Sequence, residues 1–102
     1  MPPCYFVCFA QIHDGTRFAK DYVFQTRSSI EAAGGRTIAA SDERETLEGS
    51  LPPGRVVLIE FADLAAARKW YESKGYEPLL ALRKAVATSS VILVPGGMAF
   101  RD

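Results

Sequence analysis

The chain has 102 residues, and its 12 Lys plus Arg balance 12 Asp plus Glu to leave no net formal charge. That length makes one domain, residues 1–102, and the absence of any basic run removes the electrostatic footprint needed to bind nucleic acid. No apolar run approaches the length of a bilayer span, so no membrane association is expected.

Met1-Pro2-Pro3-Cys4 carries no positive charge, and no small-residue cleavage pattern follows the apolar stretch that ends at Ile12. The N-terminus therefore does not read as a signal peptide, and a cytoplasmic protein is expected. Cys4 to Ile12 is aromatic, β-compatible and almost uncharged, which predicts the first strand. Asp14-Gly15-Thr16 supplies a turn and a helix cap, with Thr16 as the preferred capping residue. From Arg17 to Ala33 the side chains of Phe18, Tyr22, Ile30 and Ala33 recur at helical spacing, with Ala19 and Val23 alongside. Gly34-Gly35 ends that helix.

Arg36 to Ala40 predicts a second strand, with the polar segment Ser41 to Glu48 as an irregular continuation. Pro52-Pro53 prevents pairing in the connection Gly49 to Gly54. Arg55 to Phe61 is the third strand. A second helix starts at Ala62-Asp63 and runs to Ser73, with Leu64, Ala67 and Tyr71 on one face. After Gly75, Pro78 suits the first turn of a further helical piece striped by Leu79, Leu82 and Val86. Ser89 to Pro95 is the fourth strand, and 96–102 is a tail with no assigned element.

The order is β-α-β-β-α-β, an α+β ferredoxin-like arrangement. Right-handed crossovers put two main helices on one face of a four-stranded antiparallel sheet, in the strand order 4-1-3-2. Yet the first and third strands are apolar on both faces: Tyr5, Val7 and Phe9 oppose Cys4, Phe6, Cys8 and Ala10, and Val56 and Leu58 oppose Val57, Ile59 and Phe61. A solvated face would alternate with polar residues. The expected cover is a second copy of the sheet, giving a homodimer joined through the helix-free face. Cys4 and Cys8 lie ~13 Å apart along one strand, beyond disulfide reach, and are expected as free buried thiols. One His and two Cys are too few for a structural zinc site, so no metal is expected.

Gly34-Gly35-Arg36, Leu47-Glu48-Gly49, Pro52-Pro53-Gly54-Arg55, Glu60-Phe61, Ala65-Ala66-Ala67 with Trp70-Tyr71, Tyr76 and Leu82-Arg83 follow one another along nearly the whole chain. In that order and spacing the sequence resembles domain-of-unknown-function family 1330, within the dimeric α/β-barrel superfamily of ferredoxin-like proteins. The resemblance implies a small dimer with no cofactor. Superfamily relatives include cofactor-free monooxygenases and other enzymes of small aromatic or phenolic molecules. The family's usual His before Gly-Gly-Arg is replaced here by Ala33.

His13, the only His, stands where the first strand passes to the first helix and is the one side chain with an ordinary pKa near neutrality. Tyr22 should face the sheet from the first helix. Trp70 and Tyr71 are adjacent on a helix, about 100° apart, so one faces the core and the other a flank. These four are the candidate ligand-binding residues; each also has a purely structural reading, as a turn imidazole or packed aromatic. Arg36 and Arg83 carry forked donors suited to an anion, and equally to carboxylates such as Glu48 or Glu60. No catalytic residue is assigned. Three functions remain open: binding of a small aromatic or phenolic molecule between helices and sheet, a non-catalytic dimeric regulatory or protein-interaction module, and a cofactor-free monooxygenase-like or isomerase-like enzyme.

Overall fold

The computed structural model describes residues 2–96; the expected tail lies, beyond Gly96, outside the described residues. Strand β1 (Cys4–Ile12) leads into helix α1, residues 15–32, which is built from Gly15–Arg17, a π-helical segment Phe18–Val23, and Phe24–Ala32. Strands β2 (Arg36–Ser41) and β3 (Arg55–Phe61) follow, then helices α2 (Leu64–Tyr71) and α3 (Glu77–Val86), and strand β4 (Ala87–Pro95). The sheet is antiparallel in the order β2-β3-β1-β4, with the two most apolar strands, β1 and β3, at its centre. This is the topology expected from the sequence.

Several local boundaries differ, each for a visible reason. Asp14, not Thr16, caps α1: its carboxylate accepts from the Arg17 amide at 3.1 Å. Ser41 closes β2, and the segment to Glu48 does not extend it. Asp63 caps α2 by accepting from the Ala66 amide at 2.8 Å, so Ala62 stays outside the helix, and at the other end Glu72 leaves helical geometry, so the helix stops at Tyr71. β4 begins two residues early because Ala87 is already extended, and both His13 and Asp14 donate backbone hydrogen bonds to the Val86 carbonyl.

The first helix ends in a Schellman closure. Gly35 N–H donates to the Ile30 carbonyl, Gly34 N–H donates to that of Glu31, and Gly34 takes φ +80°. Gly35 is needed for another reason: a Cβ there would stand 2.7 Å from the Phe61 ring and 3.0 Å from Ile30.

Between helices and sheet lies an aromatic core. Trp70 packs 4.2 Å from Tyr76, 5.3 Å from Phe61 and 5.4 Å from Phe6, centroid to centroid. Cys4 and Cys8 are buried and unbonded on the helix side of β1. Among the described residues the opposite face has no helix. There Tyr5, Val7 and Leu58 are half-buried, while Phe9, Ile92 and Val94 are exposed. Among the described residues no helix is long and apolar enough to cross a membrane.

Gly35→Ala should therefore cost about 1–3 kcal/mol of stability, because neither the buried Phe61 ring nor Ile30 can withdraw freely. Urea denaturation checks this; an unchanged midpoint would show that the core has slack at the α1–β2 junction.

Candidate functional site

The buried side chains of α1 are Phe18, Tyr22, Thr26 and Ile30, one every four residues. On a regular helix each four-residue step overshoots a full turn by about 40°, so this row would drift off the sheet. The wider turn of the π segment takes back part of that rotation and keeps the row over the sheet. Ala19 and Ala33, expected on this face, are exposed, and Thr26 takes the missing place.

Under the row, against Phe6, Cys8 and Ile59 of the sheet, lies a cavity of about 90 Å³. Its outer end, between α1 and β2, is lined by Val23, Arg27, Thr37 and Ala40. At the inner end is Arg83, 4% exposed. Helix α3 buries Leu79, Arg83 and Val86, and the expected Leu82 is only half-buried. One guanidinium nitrogen points at Cys8 Sγ at 3.8 Å, another at the Tyr71 hydroxyl at 3.5 Å, and Nε has no partner. Both contacts are at the outer limit of hydrogen bonding. Among the described residues the ion pairs are Arg36–Glu60 at 2.8 Å and Arg55–Asp42 at 3.1 Å, and no carboxylate reaches Arg83. Burying a cation without a counter-charge costs several kcal/mol, which the rest of the core must offset.

Around this cation stand neutral polar groups. The hydroxyls of Tyr22 and Tyr76 are hydrogen-bonded to each other in a buried setting, and Tyr76 is 0% exposed. Thr26 Oγ1 is buried with no partner; it lies close enough to favour the ionised form of Tyr22 without reaching hydrogen-bond geometry. Burial pushes the Cys8 thiol and the Tyr22 phenol above their ordinary values of 9.0 and 10.0, and Tyr76 upward by burial and by Tyr22 beside it. Burial alone would lower the pKa of Arg83, but Tyr76, Tyr22 and Cys8 around it raise it overall, and it keeps its charge. At neutral pH the site is a charged donor ringed by neutral hydroxyls and a thiol.

Of the residues singled out from the sequence, Tyr22 lines this cavity. Tyr71 flanks it through its contact with Arg83, half-buried beside the fully buried Trp70. Trp70 sits one layer away, its ring tilted 36° against that of Tyr76, with its indole N–H donating to Ser29 Oγ at 3.1 Å. His13 is exposed, with Nε2 2.7 Å from Thr88 Oγ1, and does not line the cavity. Arg36 is taken by Glu60. The reading from sequence alone passed over Thr26 and Tyr76 as site residues and left Arg83 undecided. A signal was present: Arg83 stands four residues after Leu79 and three before Val86, on the stripe that marks the core.

A larger hollow, about 370 Å³, shares Ala10 and Arg55 with this cavity and opens beside Phe9, Pro52, Gly54 and Ser90. No charged side chain that lines it is buried as Arg83 is, so it offers less to orient a ligand. Among the described residues no group of three or more His, Cys, Asp or Glu is placed to hold a metal ion.

The sequence profile of a family described as Domain of unknown function (DUF1330) matches residues 3–97. No curated protein matches the chain significantly. Among solved structures, the chain is similar to RPA0582, a protein of unknown function from Rhodopseudomonas palustris. The two are 15% identical over 96% of this chain and 85% of that one, with a TM-score of 0.77. It is also similar to SnoaB, a cofactor-independent oxygenase from Streptomyces nogalater, at 17% identity over the whole of both chains and a TM-score of 0.68. An antibiotic biosynthesis monooxygenase aligns at 16% identity over 93% of this chain and 99% of that one, with a TM-score of 0.53. At such identities the likeness speaks for the fold alone, a ferredoxin-like four-stranded antiparallel sheet with helices.

The raised pKa values fix the sign of a pH effect. Cys8, Tyr22 and Tyr76 each have a folded pKa above the unfolded one. Their stabilising protonated forms are thus fully present below the unfolded values and are lost as pH climbs through the folded ones. The urea midpoint should stay level from neutrality to about pH 9 and fall above it, less steeply in Tyr22→Phe. A midpoint that stays level to pH 11 would contradict this account of the buried cluster.

Proposed function

The chain belongs to the DUF1330 family, and from that premise we propose that it is a small cytoplasmic homodimer that binds a small aromatic or phenolic molecule between α1 and the sheet. The observation that carries this reading is the under-satisfied Arg83, buried at the inner end of a cavity walled by Phe6, Phe18 and Tyr22. Flat apolar walls with a few convergent polar groups suit a small planar ligand. Cys8, Tyr22 and Arg83 all keep their protons at neutral pH, which supports binding over proton abstraction from a substrate.

The homodimer is supported by the helix-free face. Val7, Phe9, Leu58, Ile92 and Val94 form an apolar surface at the centre and β4 side of the sheet, and Ile92 is 53% exposed. A two-fold partner using the same face would bury it on both copies. A stable interface of that kind covers ~800 Å² per partner.

The binding reading is tested through Trp70, the single Trp, which contacts Tyr76 and through it Tyr22. Phenolic and quinone-like compounds should perturb its fluorescence in the wild type, and more weakly in Tyr22→Phe. A panel that leaves both the fluorescence and the melting temperature unmoved would remove the pocket. For the assembly, Leu58→Asp places a charge on the helix-free face and should give a folded monomer in sedimentation at micromolar concentration, where the wild type sediments as a dimer. A wild-type monomer under those conditions would refute the dimer.

A further inference from the structure

The aromatic pocket leaves open what a ligand presents to its inner end, and two independent features point to the same answer. Among the described residues the Nε–H of Arg83 and the hydroxyl of Thr26 are both without hydrogen-bond partners, and both belong to side chains at least 95% buried, on residues that line the same cavity. Buried polar groups in folded proteins are nearly always paired, so two orphans on residues that line one cavity point to an absent partner. One is a cation and the other a hydroxyl free to donate, so the partner accepts hydrogen bonds and carries negative charge.

We propose that this cavity is a carboxylate site, in which Arg83 and Thr26 hold the acid group of a small aromatic acid; the proposal rests on the binding reading above. A carboxylate fits better than a phenolate because the donors outnumber one oxygen. Arg83 offers Nε–H and the adjacent Nη–H as a fork matched to two oxygens, and Thr26 adds a third donor. The guanidinium's two existing contacts, 3.8 Å to Cys8 and 3.5 Å to Tyr71, are weak enough to be exchanged. Size agrees. An apolar cavity of about 150 Å³ takes up a benzene ring, so about 90 Å³ admits the acid group and leaves the ring outside it, in the mouth between α1 and β2. Two further arginines line that end, Arg27, which is exposed, and Arg55, which is paired with Asp42 and lies 5.7 Å above the Phe18 ring. Their charge favours the approach of an anion.

The test uses benzoate and its neutral isostere benzamide at constant ionic strength, followed by Trp70 fluorescence and by the melting temperature of the full chain. Benzoate should bind the wild type at least about tenfold more tightly than benzamide, the worth of a charge-assisted contact. Arg83→Met keeps the side chain's bulk without its charge and should abolish that preference. Thr26→Val should reduce it severalfold. In the wild type the Arg83 Nε–H resonance should shift on adding benzoate and not on adding benzamide, a readout that survives even if Arg83→Met fails to fold. Equal binding of the two probes, or a preference that persists in Arg83→Met, overturns the carboxylate site and leaves the aromatic pocket standing. Tighter binding of 4-nitrophenolate than of benzoate overturns the choice of acid group. If none of the probes binds and Nε–H stays still, both the site and the pocket fall.

Discussion

The buried bond between the hydroxyls of Tyr22 and Tyr76 joins the two halves of the fold at one point. Tyr22 belongs to the helix of the first β-α-β unit and Tyr76 to the elbow between the two helices of the second. Each phenol satisfies the other away from water, so neither ring can rotate outward without stranding a polar group. That pair holds α1 in place over the sheet. It also fixes the start of α3, and with it the direction in which Arg83 enters the core. The cavity is the space that remains beneath α1 once these contacts are made.

A core of this size would be better packed and cheaper with an apolar residue at position 83. The chain instead surrounds a cation with Cys8, Tyr22, Tyr71 and Tyr76, and burial holds the protons on Cys8, Tyr22 and Tyr76 at physiological pH. Hydroxyls and a thiol soften the loss of water around the charge without cancelling it. An Arg–carboxylate pair would have stabilised the fold and extinguished the site. Arg36 and Arg55, which have carboxylate partners at the surface, show that the same sheet accommodates such pairs where no cavity is involved.

The architecture was legible because β1 and β3 are short, nearly unbroken runs of apolar β-compatible residues, and glycine and proline mark the junctions, so the element order and the central pair of strands followed from the sequence. The helix boundaries were less legible, because capping is decided by which of several short polar side chains turns inward: Asp14 outcompeted Thr16. The site was only half visible. Tyr22 was found by its place in the apolar row. Thr26 was missed because a threonine in that row breaks an apolar pattern, and a helix of regular pitch would have turned it aside. Trp70 and Tyr71 were grouped with Tyr22 as aromatics on neighbouring helices, yet Tyr76 fills the space between them. Arg83 carried two meanings in the sequence, ion pair or anion binder, and only the three-dimensional position of the carboxylates separates them.

The π segment has a consequence for how such a chain can vary. A π turn is an α turn that has absorbed one extra residue while the helix on either side continues. Removal of a single residue between Phe18 and Val23 would convert the turn to regular helix with β1 and β2 still in register with β3. It would rotate every later side chain of α1 relative to the sheet, and Tyr22 could no longer face inward in step with Thr26. Homologues one residue shorter at this point would share the fold entirely and yet present a different lining to whatever enters beneath the helix. Length between Asp14 and Ile30 is thus a compact ruler by which relatives with this lining can be told from those without it.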